Sequence, residues 1–262
     1  MKWIHYGLMA MIFGLFSVFT YGCVIPGKVS VKVEKSLPEK QLAYYNDYFD
    51  EIREDLWEKG GYLYSEEQVE NFKLADMRTE NGKLIVKTKT GCFSKGGLAS
   101  KYAFRGDFDI QVDCQIDFLK GLQDMDQLID FLVVDKSKEV KATDLVKIGL
   151  CKRGTLYKSY IYSGYCVKGK YHRGKVKEIG NFHGTLRIFR SGSKISTFYK
   201  REGDKAWERM NTFGSTSKDV ILGFKLQNFF MKRTYIKARS PITAILDNFR
   251  INAAQQIIEE DI

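Results

Sequence analysis

Asp107-Phe108-Asp109-Ile110-Gln111-Val112-Asp113-Cys114-Gln115-Ile116-Asp117-Phe118 alternates a polar with an apolar side chain at every step. Successive side chains of an extended chain point to opposite faces, so this pattern predicts a β-strand with one buried and one wet face. The odd-numbered residues are expected to look toward water and the even-numbered ones to fill a core. Cys114 falls on the apolar phase, where a thiol behaves as a small buried hydrophobe.

Working outward from this strand, the same extended chemistry recurs. Leu84 and Val86 follow Asn81-Gly82, a dipeptide suited to tight turns. Val146 to Cys151, Tyr157 to Cys166, Thr185 to Arg190, Lys194 to Tyr199, Val220 to Phe224 and Ala244 to Ile251 are rich in aromatic or β-branched residues and are separated by Gly-containing turns. Ser191-Gly192-Ser193 is short enough to close a hairpin. With no βαβ alternation, the fold class is all-β, an antiparallel two-sheet sandwich. Trp207, after Gly203-Asp204-Lys205-Ala206, is expected in its core. On the N-terminal side Leu42, Tyr45, Phe49, Ile52 and Leu56 recur at spacings of three and four, which predicts an amphipathic helix stopped by Gly60-Gly61 and packed on the edge of the domain.

The chain has 262 residues, 44% of them apolar and 14% aromatic, enough for a large core and incompatible with a disordered tail. Its charge is +10 and unevenly spread: Glu34 to Glu70 holds eleven acids and four bases, whereas Lys136 to Arg201 holds seventeen bases and three acids. A basic balance of this size suits an anionic partner.

Lys2 followed by the uncharged run Tyr6 to Tyr21 and then Gly22-Cys23 has the layout of a secretory signal. Thr20-Tyr21-Gly22-Cys23 also resembles a bacterial lipobox, which implies lipidation at Cys23, although Thr20 and Tyr21 depart from the usual residues; an uncleaved helical anchor is the other way to a membrane. The expected organisation is a signal over residues 1–23, an acidic and partly helical segment over 24–60, the sandwich over 61–254 and a tail over 255–262. The folded part is expected to be exported, periplasmic or at the outer surface. Thiols there can be oxidised. Cys92, Cys114, Cys151 and Cys166 leave three complete pairings open, and hairpin neighbours favour Cys151 with Cys166. No C-x-x-C pair or clustered histidine points to zinc.

Tyr157, Tyr160, Tyr162, Tyr165 and Tyr171 crowd into fifteen positions beside Lys158, Lys168, Lys170, His172, Arg173, Lys175 and Lys177. Flat rings stack on the apolar faces of sugars while flanking donors reach hydroxyls or carboxylates. The candidate ligand-binding residues are therefore Tyr160, Tyr162, Tyr165, Tyr171 and Arg173, with a glycan or an anionic envelope polymer as partner. Nucleic acid would use the same residue types, but export argues against it.

The order Gly82-Lys83-Leu84-Ile85-Val86, Gly106-Asp107-Phe108-Asp109-Ile110-Gln111-Val112, Leu186-Arg187-Ile188-Phe189-Arg190-Ser191-Gly192 and Asp247-Asn248-Phe249-Arg250-Ile251 resembles the concanavalin A-like lectin/glucanase superfamily over roughly Leu56 to Asn252. The resemblance implies a jelly-roll sandwich and a role in binding or cleaving carbohydrate. The glucanase branch carries an E-x-D-x-x-E strand motif, and nothing here matches it. Asp109 and Asp113 are the alternative catalytic pair, but positions four apart on a strand lie ~13 Å apart, beyond the ~5–9.5 Å that glycoside hydrolysis needs. The reading is a non-catalytic binding domain, with a glycoside hydrolase as its alternative. The resemblance also implies a structural calcium at Asp247 in some relatives; no other cofactor is expected.

Overall fold

The computed structural model describes residues 33–59, 72–91, 93–120, 126–135, 145–154, 158–167, 170–214, 218–229 and 239–259. Residues 1–23 with Cys23, and also Cys92, Tyr157 and Lys168, lie outside them. A helix α1 (Glu39–Tyr45) precedes β1 (Trp57–Lys59), β2 (Phe72–Leu74), β3 (Asp76–Thr79), β4 (Leu84–Lys87), β5 (Phe93–Gly96) and the long β6 (Leu98–Ile116). Then come β7 (Asp126–Asp135), β8 (Leu145–Lys152), β9 (Ser159–Val167), β10 (Lys170–Glu178), β11 (Phe182–Ser191), β12 (Lys194–Arg201), β13 (Glu208–Gly214), β14 (Val220–Phe229) and β15 (Thr243–Glu259).

β6 is the shared spine of an antiparallel jelly-roll sandwich. The strand path runs β10-β9-β8-β7-β14-β6-β11-β12-β13, so one layer hangs from the first half of β6 and the other from its second half. The division shows in the ladders: Phe104 and Ala103 pair with β14, whereas Phe108 to Ile116 pair with β11. β15 follows β6 along its other edge, from Ala244 opposite Ile116 to Glu259 opposite Tyr102. Only β2 and β5 pair in parallel among the described residues.

The alternating segment obeys its period. Phe108, Ile110, Val112, Cys114 and Ile116 are all buried. They meet Phe131, Ile148, Leu150, Leu186, Ile188 and Phe224 in one core. Arg190 sits on this inward phase, where a bare cation is costly; it donates to the carbonyls of Gly106, Lys218 and Phe104 and lies 4.7 Å over the Phe108 ring.

The N-terminal segment departs from expectation. The helix ends at Tyr45, not near Gly60. Asn46 Oδ1 accepts from Ile251 N, Asp47 pairs with Phe249, and Asp47 Oδ1 accepts from Phe49 N at 2.7 Å, so short polar side chains turn the backbone out of the helix. Phe49 and Leu56 are still buried, but by an irregular chain. Asp47 Oδ2 accepts from Trp57 Nε1 at 2.6 Å. The Trp57 ring lies 5.5 Å from Phe224 and 5.4 Å from Phe249, in the sandwich core itself.

The compact unit runs from Lys32 to Ile262. Within the expected tail, residues 255–259 belong to β15. The expected Cys151–Cys166 disulfide is absent. Cys151 pairs across the ladder with Tyr160 and Cys166 with Leu145, at opposite ends of the hairpin, and Cys151 is a free thiol.

Replacing Asp47 by Ala strips partners from two buried donors, Phe49 N and Trp57 Nε1, and is expected to cost ~1–3 kcal/mol or more. A urea titration read by tryptophan fluorescence measures it. Tyr44→Ala, at an exposed ring, is expected to stay within ~0.5 kcal/mol.

Candidate functional site

The two layers turn two outer faces to their surroundings. On the layer of β6, β11 and β12, the outward residues of β6 meet their neighbours closely. Arg187 grips Asp109 with Nε and NH2, both at 2.6 Å, and its guanidinium lies 5.7 Å from the Phe198 ring and 5.3 Å from the Trp207 ring. Asp109 points outward as expected but is not wet: it is only 5% exposed under this lid. Trp207 is half-buried on this outer face and not in the core. Asp113 accepts from Thr185 Oγ1 at 2.6 Å and from Asn248 Nδ2 at 2.9 Å. Each oxygen of both carboxylates thus accepts a hydrogen bond from a side chain.

Asp247 stands opposite Asp113 in the β15 ladder, beside a cavity of about 350 Å³ that Lys83, His183, Thr185 and Lys200 also line. Burial pushes the Asp247 carboxyl upward, with Lys83 opposing it. Calcium takes 6–8 oxygen ligands. Among the described residues no three His, Cys, Asp or Glu side chains gather to hold a metal.

The outer face of the layer β10-β9-β8-β7-β14 holds most of the predicted ligand residues. Tyr160 and Tyr162 share the outward phase of β9, and Tyr171 stands on neighbouring β10 with 48% exposure. A side chain at Gly164 would collide with the Tyr171 ring, so the ring lies directly on the β9 backbone. Arg173 is exposed on the same strand. Tyr165 is different. One step out of phase, it turns inward and packs 4.7 Å from both His172 and Phe213. Tyr162 is buried and serves the interior of the face, not its surface.

Its partner is Asp130, which the sequence reading missed. Asp130 points outward from the middle of β7, yet its side chain is fully buried. Tyr162 Oη donates to Oδ1; Lys147 Nζ donates to Oδ2 at 3.1 Å, with Lys225 Nζ 3.8 Å from the same oxygen. Burial alone would push this carboxyl up; Lys147, Lys225 and Tyr162 outweigh it and hold it below the ordinary range. The same burial and the adjacent carboxylate push the Tyr162 hydroxyl well up. Gly149 makes the pairing possible, since a Cβ there would meet Asp130 Oδ1, the Ile129 carbonyl and the Tyr162 ring. Farther along β7, Asp126 accepts from Gly154 N at 2.8 Å and pairs with Arg153. Lys95, opposite Gln227 in the ladder of β5 and β14, is pulled down to about 7 by burial and then by Lys225.

No protein-family model and no curated protein sequence matches the chain. Solved structures do. They share the fold, an antiparallel jelly-roll sandwich. A β-glucanase of Bacillus licheniformis superposes with a TM-score of 0.59 at 15% identity, over 79% of this chain and 96% of that one. A β-1,3-1,4-glucanase (lichenase) from a mouse hindgut metagenome gives 0.57 at 13% identity, over 79% and 97%. The CBM2 module of the evolved Dit protein of Lactobacillus casei BL23 phage J-1 gives 0.53 at 9% identity, over 79% and 95%.

Two measurements check this geometry. Gly149→Ala forces the Asp130–Tyr162 contact apart and is expected to destabilise the fold by ~1–3 kcal/mol, whereas Gly180→Ala, with open space around it, is near neutral in the same denaturant titration. Between about pH 7 and 10.5 the unfolded chain holds the Lys95 proton and the folded one has released it, so stability rises with pH across that window. Lys95→Met is expected to stabilise the protein most below pH 7 and progressively less toward pH 10, read as the difference in Tm.

Proposed function

We propose that this chain is an exported domain that holds a glycan on the outer face of the β10-β9-β8-β7-β14 layer and leaves its glycosidic bonds intact. One observation carries the reading: the carboxylates at the heart of that face are already spent on the protein's own cations. Asp130 is enclosed by Tyr162, Lys147 and Lys225, and Asp126 by Arg153 and Gly154 N. The two stand four residues apart on one strand, ~13 Å by the rise of extended chain. Hydrolysis with retention or inversion needs two carboxyl groups ~5–9.5 Å apart, one free to attack or activate water and one to donate a proton.

What the face does offer is stacking and donors. Tyr171 presents its ring over the Gly164 backbone, and Arg173 and Lys147 flank it; a sugar ring laid on Tyr171 is within reach of both. The signal-like pattern of Lys2, Tyr6 to Tyr21 and Cys23 supports export with a membrane anchor, by lipid on Cys23 or by a helix. A glycoside hydrolase is the second reading. The likeness of the fold to β-glucanases favours it, and the occupied state of Asp109, Asp113, Asp126 and Asp130 weighs against it.

The test is affinity electrophoresis in gels containing laminarin, mixed-linkage glucan or an acidic polysaccharide, run beside an assay for released reducing ends. Retardation by at least one polymer, weakened about tenfold by Tyr171→Ala, with no reducing ends released, is the expected result. Release of reducing ends that Asp130→Asn or Asp109→Asn abolishes would replace this reading with the hydrolase.

A further inference from the structure

The glycan reading leaves open what kind of sugar fits, and the charge on the face decides it. Lys147 and Lys225 approach the same oxygen of a single carboxylate, at 3.1 and 3.8 Å. Their side chains are only 15% and 20% exposed, so two ammonium groups share one counter-charge where water is scarce. Lys225 is the more telling of the two. At 3.8 Å its contact with Asp130 is Coulombic only, and among the described residues it donates no hydrogen bond. An ammonium has three donors to satisfy, and leaving them empty while desolvated is costly.

The surroundings add to the imbalance. Lys95 stands near enough to Lys225 for the two cations to repel. Tyr171 feels Lys147, Arg173 and Arg153 together, and its ring lies 5.5 Å from Lys147 Nζ. Across the face, Lys147, Arg153, Arg173 and Lys225 stand against Asp126 and Asp130, with Lys95 only partly charged near pH 7. Among the described residues Glu178 at its rim is matched by Lys158 at 2.8 Å.

We infer that the glycan bound here is acidic, its carboxylate or sulfate group seated at Lys225 and Lys147 while the sugar ring stacks on Tyr171. This rests on the glycan-binding reading above and specifies its ligand. An anionic group at Lys225 supplies the acceptor that the ammonium lacks, and Asp130 holds both lysines together at one oxygen. Charge-assisted hydrogen bonds of this kind are about twice as strong as neutral ones. Exposed lysines elsewhere on this basic protein attract polyanions too, but only as screened, long-range charge.

The experiment uses the full chain and four probes: polygalacturonate for the carboxylate, dextran sulfate for the sulfate, and unsubstituted dextran and laminarin as neutral controls, at low and at physiological salt. The expected result is that one acidic polymer binds at physiological salt and that Lys225→Met weakens it at least about tenfold. Lys225→Arg is expected to retain most of the binding, which also covers the case in which the Met variant folds poorly. Lys194→Met removes the same charge from an exposed site on β12 and is expected to change binding less than about twofold. Equal losses from Lys194→Met and Lys225→Met would reduce the effect to overall charge and overturn the inference. Binding of laminarin or dextran in preference to both acidic polymers would overturn it while the glycan reading stood; retention of none would remove both.

Discussion

The alternation along β6 is the constraint on which the rest of the structure depends. Its even-numbered side chains from Phe108 to Ile116 are buried almost completely, and because the period of a strand is two, a slip of one residue would put Asp109, Gln111 and Asp113 into the core. That penalty fixes the register of β6, and β6 in turn fixes its neighbours, since it lends one edge to β14 and β11 in succession and the other to β15. The two layers are therefore not independently placed sheets that happen to stack. They are both read off one strand, and the aromatic cluster of Trp57, Phe131, Phe224 and Phe249 fills the space that this strand leaves between them.

How far the sequence discloses this depends on whether one face of an element is wet. β6, β11, β12 and β15 bear polar residues outward and apolar ones inward, and their periods are legible. β7 is not, because Leu128, Asp130 and Leu132 on its outer face are as buried as Ile129, Phe131 and Val133 on its inner one. A strand covered on both sides loses its alternation. The signal that remained was chemical: an aspartate inside the apolar run Leu128 to Val134 has to be partnered if buried. The segment after Tyr45 misleads for the opposite reason. Phe49, Ile52 and Leu56 keep helical spacing, but Asn46 and Asp47 spend their side chains on backbone groups and override it. The tyrosine cluster was located but not sorted, since Tyr162 and Tyr165 fall on opposite faces of β9 only once its pairing with β8 and β10 is known.

The two outer faces differ in how their charges are resolved. On the layer of β11 and β12 three outward aspartates of β6 and its end meet partners of their own, Asp109 with Arg187, Asp113 with Thr185 and Asn248, Asp117 with His183 at 3.3 Å. Such a surface is balanced and gives a ligand little to complete. On the opposite layer, carboxylates are fewer than cations and are sunk beneath them. A buried ion pair rarely adds stability over apolar side chains of the same volume, so Asp130, Lys147 and Lys225 are poorly explained as a device for holding the sandwich together.

Their geometry accounts for them better as a device for holding cations at a surface. A lone lysine on β8 or β14 would extend into water and sample many rotamers; tied to a fixed carboxylate, Lys147 and Lys225 surrender that freedom on folding instead of on binding. Asp130 is fixed in turn by Tyr162 from β9, and Tyr162 can approach only because Gly149 lacks a side chain. The carboxylate so placed is enclosed by Tyr162, Lys147 and Lys225. What it supplies is position: one acid that gathers Lys147 and Lys225 at the same oxygen, with Lys147 beside the ring of Tyr171 and Lys225, among the described residues, donating no hydrogen bond.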